Sequence, residues 1–272
     1  MISTLQRTLW ILLILLFTIP AVQAGDDLDS IITQGRIRIG VKAHAPPFSL
    51  KNKDGKMEGF DIGLAQSLAN FLEVELDIVP LSSAERIPFL KEGKVDLVVA
   101  TMTITRTREK EVDFSIPYFK DGQSLLTLKS GSVKSYQDLE GKKVGAVAGT
   151  TSLKNLSLVS PDCVTVPFKT PKEAVDALVA KKIDAFSSDM LMLLGLKLAH
   201  SKKGQLVITG GKFSNEPYGV AMRPNQSNLR DTIDEAVMDM WKSGTWRSLY
   251  KKWFGKKSPY FHENNFEVQA YH

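Results

Sequence analysis

The chain alternates short apolar blocks with amphipathic stretches, a pattern typical of strands and helices that follow one another. Residues 36–41 alternate apolar and polar side chains as a strand does, and residues 61–71 repeat apolar side chains at helical spacing. Residues 95–100 carry a single polar side chain, that of Asp96, which predicts a strand buried on both faces. This order of elements predicts an α/β fold.

A second set of elements begins with a predicted strand at residues 124–128. The break between the two sets lies near residues 117–123, which predicts two lobes. Further strands are predicted at 143–147, 164–168, 185–187 and 218–222, and further helices at 171–180, 190–200, 229–241 and 246–254.

Three predicted strands end in turns rich in hydroxyl or charged side chains, at residues 42–48, 101–105 and 149–152. Ligands of open α/β sheets lie outside the carboxyl ends of the strands, so we expect these turns to face a shared cleft. Arg108 follows the second turn, and its planar guanidinium can hold both oxygens of a carboxylate at once. The arrangement predicts a receptor for a small carboxylate.

The first 24 residues have the pattern of a secretory signal. Arg7 is their one charged side chain, residues 9–17 are almost wholly apolar, and Pro20 ends that run. Cleavage is expected after Ala24, and the single cysteine, Cys163, lies far from this point, so no lipid anchor is expected there. These features predict a soluble protein of a Gram-negative periplasm.

Composition excludes several other classes of protein. One cysteine rules out an internal disulfide framework and a cysteine-based zinc site. The 35 basic residues are dispersed among 30 acidic ones without an arginine-rich arm, which argues against nucleic-acid binding. The histidines lack metal-ligand spacing, so the sequence predicts no metal, no cofactor and no nucleic-acid partner.

Short motifs follow one another in a fixed order between residues 36 and 255. In this order and spacing they resemble the periplasmic amino-acid-binding proteins of ABC importers, which have the type II solute-binding fold. The motifs are Gly40-Val41 leading to Pro47-Phe48, Gly59-Phe60-Asp61-Ile62, Val95-Asp96-Leu97, Thr103-Ile104-Thr105 with Arg108, Asp113-Phe114-Ser115, Gly149-Thr150, Asp184-Ala185 with Asp189, Tyr218-Gly219 and Trp253-Phe254-Gly255.

The resemblance implies two lobes, each a mixed sheet flanked by helices, joined by two hinge strands and closing on a ligand. It places residues 25–117 and 219–272 in lobe 1 and residues 118–218 in lobe 2, after the signal peptide at 1–24. It also implies an inner-membrane ABC permease as partner, and we expect a monomer. Residues 256–272 extend past the usual end of the family, and their aromatic side chains predict that they pack against the protein.

The resemblance also implies roles for individual residues. Arg108 would hold the α-carboxylate of an amino acid, helped by Thr103 and by backbone or hydroxyl donors of Thr101 and Thr151. Asp189 would hold the α-ammonium group.

Two further cations, Lys42 and Arg86, bear on which amino acid is bound. Lys42 stands where the family often has an aspartate, and both cations resemble features of members that bind aspartate and glutamate. Arg108 and Asp189 already pair with the two charges of an amino-acid backbone. Lys42 and Arg86 therefore exceed the cations that the backbone needs, which favours a ligand with an acidic side chain. Glutamine, asparagine and cystine remain alternatives, and Tyr218 completes the expected contacts.

Other interpretations concern rings and acids near the cleft. Phe48, Phe60 and Tyr118 are candidates to stack on a ligand, although core packing is favoured for the two phenylalanines. Cyclohexadienyl dehydratase shares the fold, and Glu85 and Glu216 would be its candidate acids, both expected at the surface. The favoured interpretation is a binding protein and not an enzyme.

Overall fold

The computed structural model describes residues 26–264 and 266–268, so the expected signal segment at 1–24 lies outside the described residues. Two lobes each contain a five-stranded mixed sheet flanked by helices. The predicted α/β, two-lobed fold class is therefore confirmed. No helix within the described ranges is both long and apolar enough to cross a membrane.

The strands and helices have the following bounds. The strands are β1 (Arg36–Lys42), β2 (Leu50–Lys51), β3 (Met57–Glu58), β4 (Glu75–Leu81), β5 (Leu97–Val98), β6 (Asp113–Phe114), β7 (Phe119–Asp121), β8 (Gln123–Leu128), β9 (Lys143–Val147), β10 (Val164–Phe168), β11 (Ala185–Asp189), β12 (Leu206–Thr209), β13 (Glu216–Tyr218) and β14 (Ala221–Met222). The α-helices are α1 (Asp27–Gln34), α2 (Phe60–Phe71), α3 (Arg86–Lys91), α4 (Ser152–Val159), α5 (Pro171–Val179), α6 (Met190–Ala199), α7 (Ser227–Ser243) and α8 (Thr245–Phe254).

The two sheets are arranged so that several strands end at the same cleft. Lobe 1 has the strand order β4-β1-β5-β14-β6, in which β1 runs parallel to β4 and β5. Lobe 2 has the order β10-β9-β11-β8-β12, in which β9 runs parallel to β10 and β11. The residues that follow β1, β5 and β9, and the last residue of β11, consequently lie between the lobes.

The hinge is a two-stranded ladder of β7 and β13, which pair in antiparallel fashion. Glu216 lies opposite Asp121 and Tyr218 lies opposite Phe119. The lobe boundaries predicted at residues 117–118 and 218–219 adjoin these two strands. The ladder therefore brings Tyr218 and Glu216 to the point where the chain crosses between lobes.

Two predicted strands differ in the structure. Within residues 95–100 only Leu97–Val98 belongs to a strand, although the whole segment is buried. The strand predicted at 218–222 is divided, because the chain leaves the hinge ladder after Tyr218 and joins the lobe 1 sheet at Ala221. At the break, the Gly219 N–H donates to the Met102 carbonyl at 3.1 Å.

Aromatic side chains fill the region where lobe 1 meets the hinge. The Phe48 ring makes edge-to-face contacts with Phe60, Phe119 and Tyr218 at centroid distances of 6.2, 5.1 and 5.8 Å. All four rings are buried, and this geometry is favourable for aromatic pairs. Phe48 and Phe60 thus pack in the core, which is the role that the sequence favoured for them.

The C-terminal tail packs along lobe 1. The Tyr250 hydroxyl donates to the His262 carbonyl at 3.0 Å, and the His262 N–H donates to the Phe254 carbonyl at 3.0 Å. Further on, the Phe266 ring lies 6.0 Å from that of Trp246, and Val268 is buried in the same core. The tail therefore braces α8 against the body of lobe 1.

Replacing Phe48 tests how far the aromatic cluster stabilises the fold. We expect Phe48→Ala to lower the free energy of unfolding by about 3–5 kcal/mol, because it leaves a cavity among rings that cannot collapse fully. Phe261→Ala, at a ring 44% exposed, is the control and should cost less than ~1 kcal/mol. Denaturant unfolding measures both, and equal losses would contradict the assignment of Phe48 to the structural core.

Candidate functional site

The residues predicted to bind a ligand come together where the two lobes face each other. Lys42 ends β1 and Thr101 and Thr103 follow β5, all on lobe 1. From the other side, Thr151 precedes α4 and Asp189 ends β11. Arg86, at the start of α3, Arg108 and the hinge residue Tyr218 complete the cluster.

The Arg108 guanidinium spans the cleft. Its Nη1 donates to the Thr103 carbonyl at 2.7 Å, and its Nη2 donates to the Gly149 carbonyl of lobe 2 at 3.0 Å. Burial lowers the pKa of Arg108, and the nearby Glu216 and Asp189 carboxylates oppose that shift. The guanidinium is therefore held in one orientation at the edge of the cleft.

Arg86 has a different environment from Arg108. Its side chain is buried, and its guanidinium donates to backbone carbonyls of Ser83 at 2.9 Å, Ala100 at 3.1 Å and Gly149 at 2.8 Å. Burial, with a smaller effect of the Arg108 charge, lowers the pKa of Arg86. Its donors are directed at the backbone of both lobes, so it fastens the loops that line the cleft.

Gly149 is a point of close approach between the lobes. It has φ +78°, and a Cβ at this position would lie 2.7 Å from the Ala84 Cα and 2.8 Å from the Ala84 nitrogen. These distances are shorter than real Cβ contacts allow, and the obstructing atoms are backbone. Only glycine therefore lets this turn of lobe 2 reach Arg86 and Arg108 with its carbonyl.

Asp61 fixes the conformation of Thr101. Thr101 has φ +42°, which is uncommon for a residue other than glycine, and its N–H donates to Asp61 Oδ2 at 2.9 Å. The other carboxylate oxygen accepts from the Tyr118 hydroxyl at 3.1 Å. Burial raises the pKa of Asp61 to about 7, although these two hydrogen bonds act in the opposite direction.

Asp189 faces the cleft and does not cap the helix that follows it. Its Oδ2 accepts from the Tyr218 hydroxyl at 2.7 Å, whereas the N–H of Leu191 in the first turn of α6 donates to Asp121 at 3.0 Å. Burial raises the pKa of Asp189 to about 7, and the Asp121 and Glu216 carboxylates add to this. Because Asp121 supplies the cap, Asp189 keeps one oxygen available between the lobes.

Glu216 is buried, so the expectation of a surface position was wrong. Its carboxylate accepts hydrogen bonds from Thr103 at 2.6 Å, Thr151 at 2.9 Å, Asn155 at 2.6 Å and Ser214 at 2.8 Å. The hydrophobic and polar pattern around residue 216 could not predict this burial, because three of the four donors are distant in sequence.

Three donor groups of the predicted threonine contacts have no partner among the described residues. They are the N–H groups of Thr103 and Thr151 and the hydroxyl of Thr101, which is buried. The hydroxyls of Thr103 and Thr151 already donate to Glu216. Unpartnered buried polar groups are rare in folded proteins, so the buried Thr101 hydroxyl in particular marks a place for an acceptor.

Lys42 is the last residue of β1 and interacts electrostatically with Arg86 and Asp189. It is 7% exposed, and its Nζ has no hydrogen-bond or ion-pair partner in the part of the chain that the structure describes. Burial, together with the Arg86 charge, lowers its pKa to about 7. A cavity of about 530 Å³ opens beside it between the lobes, lined by residues that include Ser82, Ser83, Thr150 and Met192.

Carboxylates balance the cations that line the cleft. Asp61, Asp189 and Glu216 interact electrostatically with one or more of Lys42, Arg86 and Arg108, while Asp121 pairs with Lys212 at 2.9 Å. With every group ionised, three carboxylates would thus stand against three cations. The surplus of positive charge that the sequence predicted is absent among these residues, because neither Asp61 nor Glu216 had been placed in the cleft.

The cleft and its two lobes can be compared with known proteins. Residues 37–256 match the family model of bacterial extracellular solute-binding proteins, family 3. The chain belongs to this family. Its hinge ladder, facing lobes and lined cleft are therefore those of a solute-binding protein.

Several relatives of this solute-binding protein are named for amino acids. The ABC transporter glutamine-binding protein GlnH of Bacillus subtilis (strain 168) is 40% identical over 239 residues, which are 86% of each chain. The L-glutamate/L-aspartate-binding protein of Pseudomonas aeruginosa (strain PAO1) is 30% identical over 244 residues, covering 85% of this chain and 81% of the relative. A solved structure of an ancestral arginine-binding protein bound to glutamine is 40% identical with a TM-score of 0.78, covering 82% of this chain and 99% of that one.

The raised pKa of Asp61 leads to a prediction about pH. Since the folded state holds this proton more tightly than the unfolded state, the contribution of Asp61 to stability falls as pH rises from about 4 to about 7. The free energy of unfolding of Asp61→Asn relative to the parent should therefore rise over that range, by at most about 1.4 kcal/mol per pH unit. Denaturant unfolding of ligand-free protein measures this, with Asp54→Asn in the exposed β2–β3 turn as control; parallel curves for parent and Asp61→Asn would contradict it.

Gly149→Ala should weaken solute binding by obstructing closure of the lobes. Gly141 provides a matched control, because it has φ +66° but a Cβ there would meet nothing within 4 Å. Both substitutions strain a left-handed residue, and only the one at Gly149 places a methyl group against Ala84. We expect solute affinity, measured by calorimetry, to fall about 10-fold or more for Gly149→Ala alone; equal affinities in the two variants would show that closure tolerates the added atom.

Proposed function

We propose that this solute-binding protein captures a polar amino acid with an uncharged side chain, glutamine in the first place, and delivers it to an ABC permease. The observation that carries the proposal is the set of unpartnered threonine donors in the same cleft as the remaining oxygen of Asp189. A free amino acid is the smallest molecule that presents a carboxylate to such donors and an ammonium group to a carboxylate.

The backbone of the ligand is recognised at the hinge end of the cleft. The N–H groups of Thr103 and Thr151, with the Arg108 guanidinium, surround a position for the α-carboxylate. Asp189 and the lone pairs of the tied threonine hydroxyls accept from the α-ammonium group. Charge-assisted hydrogen bonds of this kind are stronger than neutral ones, so they fix the ligand in one orientation.

The side chain of the ligand extends toward Lys42 and the cavity beside it. A zwitterion with a neutral side chain leaves the balance of three cations and three carboxylates unchanged. The Lys42 ammonium can then donate to the side-chain carbonyl oxygen of glutamine. The glutamine named for the Bacillus relative and for the ancestral protein supports the same assignment.

An acidic amino acid is the second candidate, favoured by one observation. Lys42 has no partner among the described residues, and a side-chain carboxylate on the ligand would give it one. The Pseudomonas relative, named for glutamate and aspartate, supports this candidate. It needs the extra negative charge to be tolerated close to Asp61 and Asp189.

A dehydratase is less well supported, because its two candidate acids are not available for proton transfer in the cleft. Glu85 is exposed and accepts from the Ser82 N–H at 2.8 Å. Glu216 holds four hydrogen bonds already. We therefore propose a binding protein that acts outside the inner membrane, in the periplasm, after the segment at 1–24 is removed.

A thermal-shift screen against the standard amino acids tests the proposal. We expect glutamine to raise the melting temperature most, since a ligand at 100 times its dissociation constant stabilises by about 2.7 kcal/mol. Arg108→Ala should abolish the shift, whereas Arg106→Ala, at an exposed side chain two residues away, should retain it. A screen in which no amino acid shifts the parent protein would overturn the proposed function.

The same screen on Lys42→Met separates the two candidates. If the ligand is glutamine, the variant loses one hydrogen bond, and the shift should become smaller without disappearing. If the ligand is glutamate, the variant leaves a buried carboxylate without its cation, and the shift should vanish. A parent protein shifted more by glutamate than by glutamine would replace the first candidate by the second.

A further inference from the structure

We propose that Glu216 is a positioning residue that latches the lobes together in the closed protein and directs its neighbouring threonines at the ligand. This inference rests on the proposed function and adds a residue that makes no contact of its own with the amino acid. It starts from the place of Glu216 on β13, the strand that crosses between the lobes.

The donors to Glu216 come from both sides of the cleft. Thr103 belongs to lobe 1, whereas Thr151 and Asn155 belong to the start of α4 in lobe 2. Ser214, two residues before Glu216, supplies the fourth hydrogen bond. A rotation of the lobes about the hinge moves Thr103 relative to Thr151, so it must break at least one of these bonds.

The carboxylate has no acceptor position left for a ligand. A carboxylate offers about four lone-pair positions, and two donors reach each oxygen of Glu216: Thr103 and Thr151 on Oε2, Asn155 and Ser214 on Oε1. The side chain is 1% exposed. Glu216 is thus an internal fastening and not a contact for solute.

The latch also determines which groups of the two threonines remain for the ligand. The Thr151 hydroxyl donates to Glu216 and accepts from the Gln123 amide at 2.8 Å, so it has no proton to offer. The Thr103 hydroxyl likewise gives its proton to Glu216. Only their backbone N–H groups are left as donors, and a backbone donor cannot rotate away from a carboxylate.

A latch that exists only in the closed protein should lower the rate at which the ligand dissociates. We expect Thr103→Val and Asn155→Ala to speed the dissociation of radiolabelled glutamine about 10-fold, since each loses a hydrogen bond to a carboxylate. Association should change less than two-fold, because the open lobes that meet the ligand lack the latch. Thr165→Val, on an exposed position of β10, is the matched control. Radiolabelled glutamate replaces glutamine if the screen selects the second candidate.

A double-mutant cycle separates the latch from a direct contact of Thr103 with the ligand. If Thr103 acts through Glu216, the effects of Thr103→Val and Glu216→Gln on dissociation should not add; additive effects would overturn the inference. Should Glu216→Gln fail to fold, the cycle of Thr103→Val with Asn155→Ala takes its place, with the same expectation. If the parent protein binds an amino acid and the variants release it at the same rate as the parent, the latch is overturned and the proposed function stands. A parent protein that binds no amino acid overturns the function itself.

Discussion

Six ionisable side chains lie together between the lobes, and each needs a partner because an isolated charge is unfavourable in a low-dielectric interior. The three cations are Lys42, Arg86 and Arg108, and the carboxylates are Asp61, Asp189 and Glu216. Most of these charges are satisfied inside the protein. The groups that remain are the donors near Thr103 and Thr151, one oxygen of Asp189 and the Lys42 ammonium. They are complementary to the polar groups of an amino acid.

The two arginines of the cleft have different contacts and different roles. Arg86 is surrounded by backbone carbonyls and fastens loops, whereas Arg108 lies at the edge of the cleft and donates to two carbonyls of the described residues. Both reach the Gly149 carbonyl, and this is possible because Gly149 has no side chain to strike Ala84. The approach of the lobes at this point thus depends on a glycine as well as on the charged groups.

The hinge is more than a connection between the lobes. Tyr218 on β13 holds Asp189 by a hydrogen bond of 2.7 Å, while Glu216 on the same strand collects donors from both lobes. The aromatic cluster around Phe48 packs against Phe119 and Tyr218, so it anchors this ladder to the core of lobe 1. In the function proposed above, movement of the lobes and arrangement of the ligand contacts would therefore be coupled through Tyr218 and Glu216, two side chains of one short strand.

The sequence by itself determined the α/β fold class, most strands and helices and the family, because periodicity and motif order are local properties of the chain. It also drew attention to Arg108 and Asp189, which follow strand ends where ligands lie in such folds. The partners of Glu216, the hydrogen bond from Thr101 to Asp61 and the approach of Gly149 to Ala84 were decided by the tertiary structure alone. Apart from the bond of Ser214 to Glu216, these contacts join residues 40 to 113 positions apart, and the balance of charge in the cleft depends on them. A list of charged residues cannot tell which acids are buried beside which bases, so the sequence overestimated the positive charge available to a ligand.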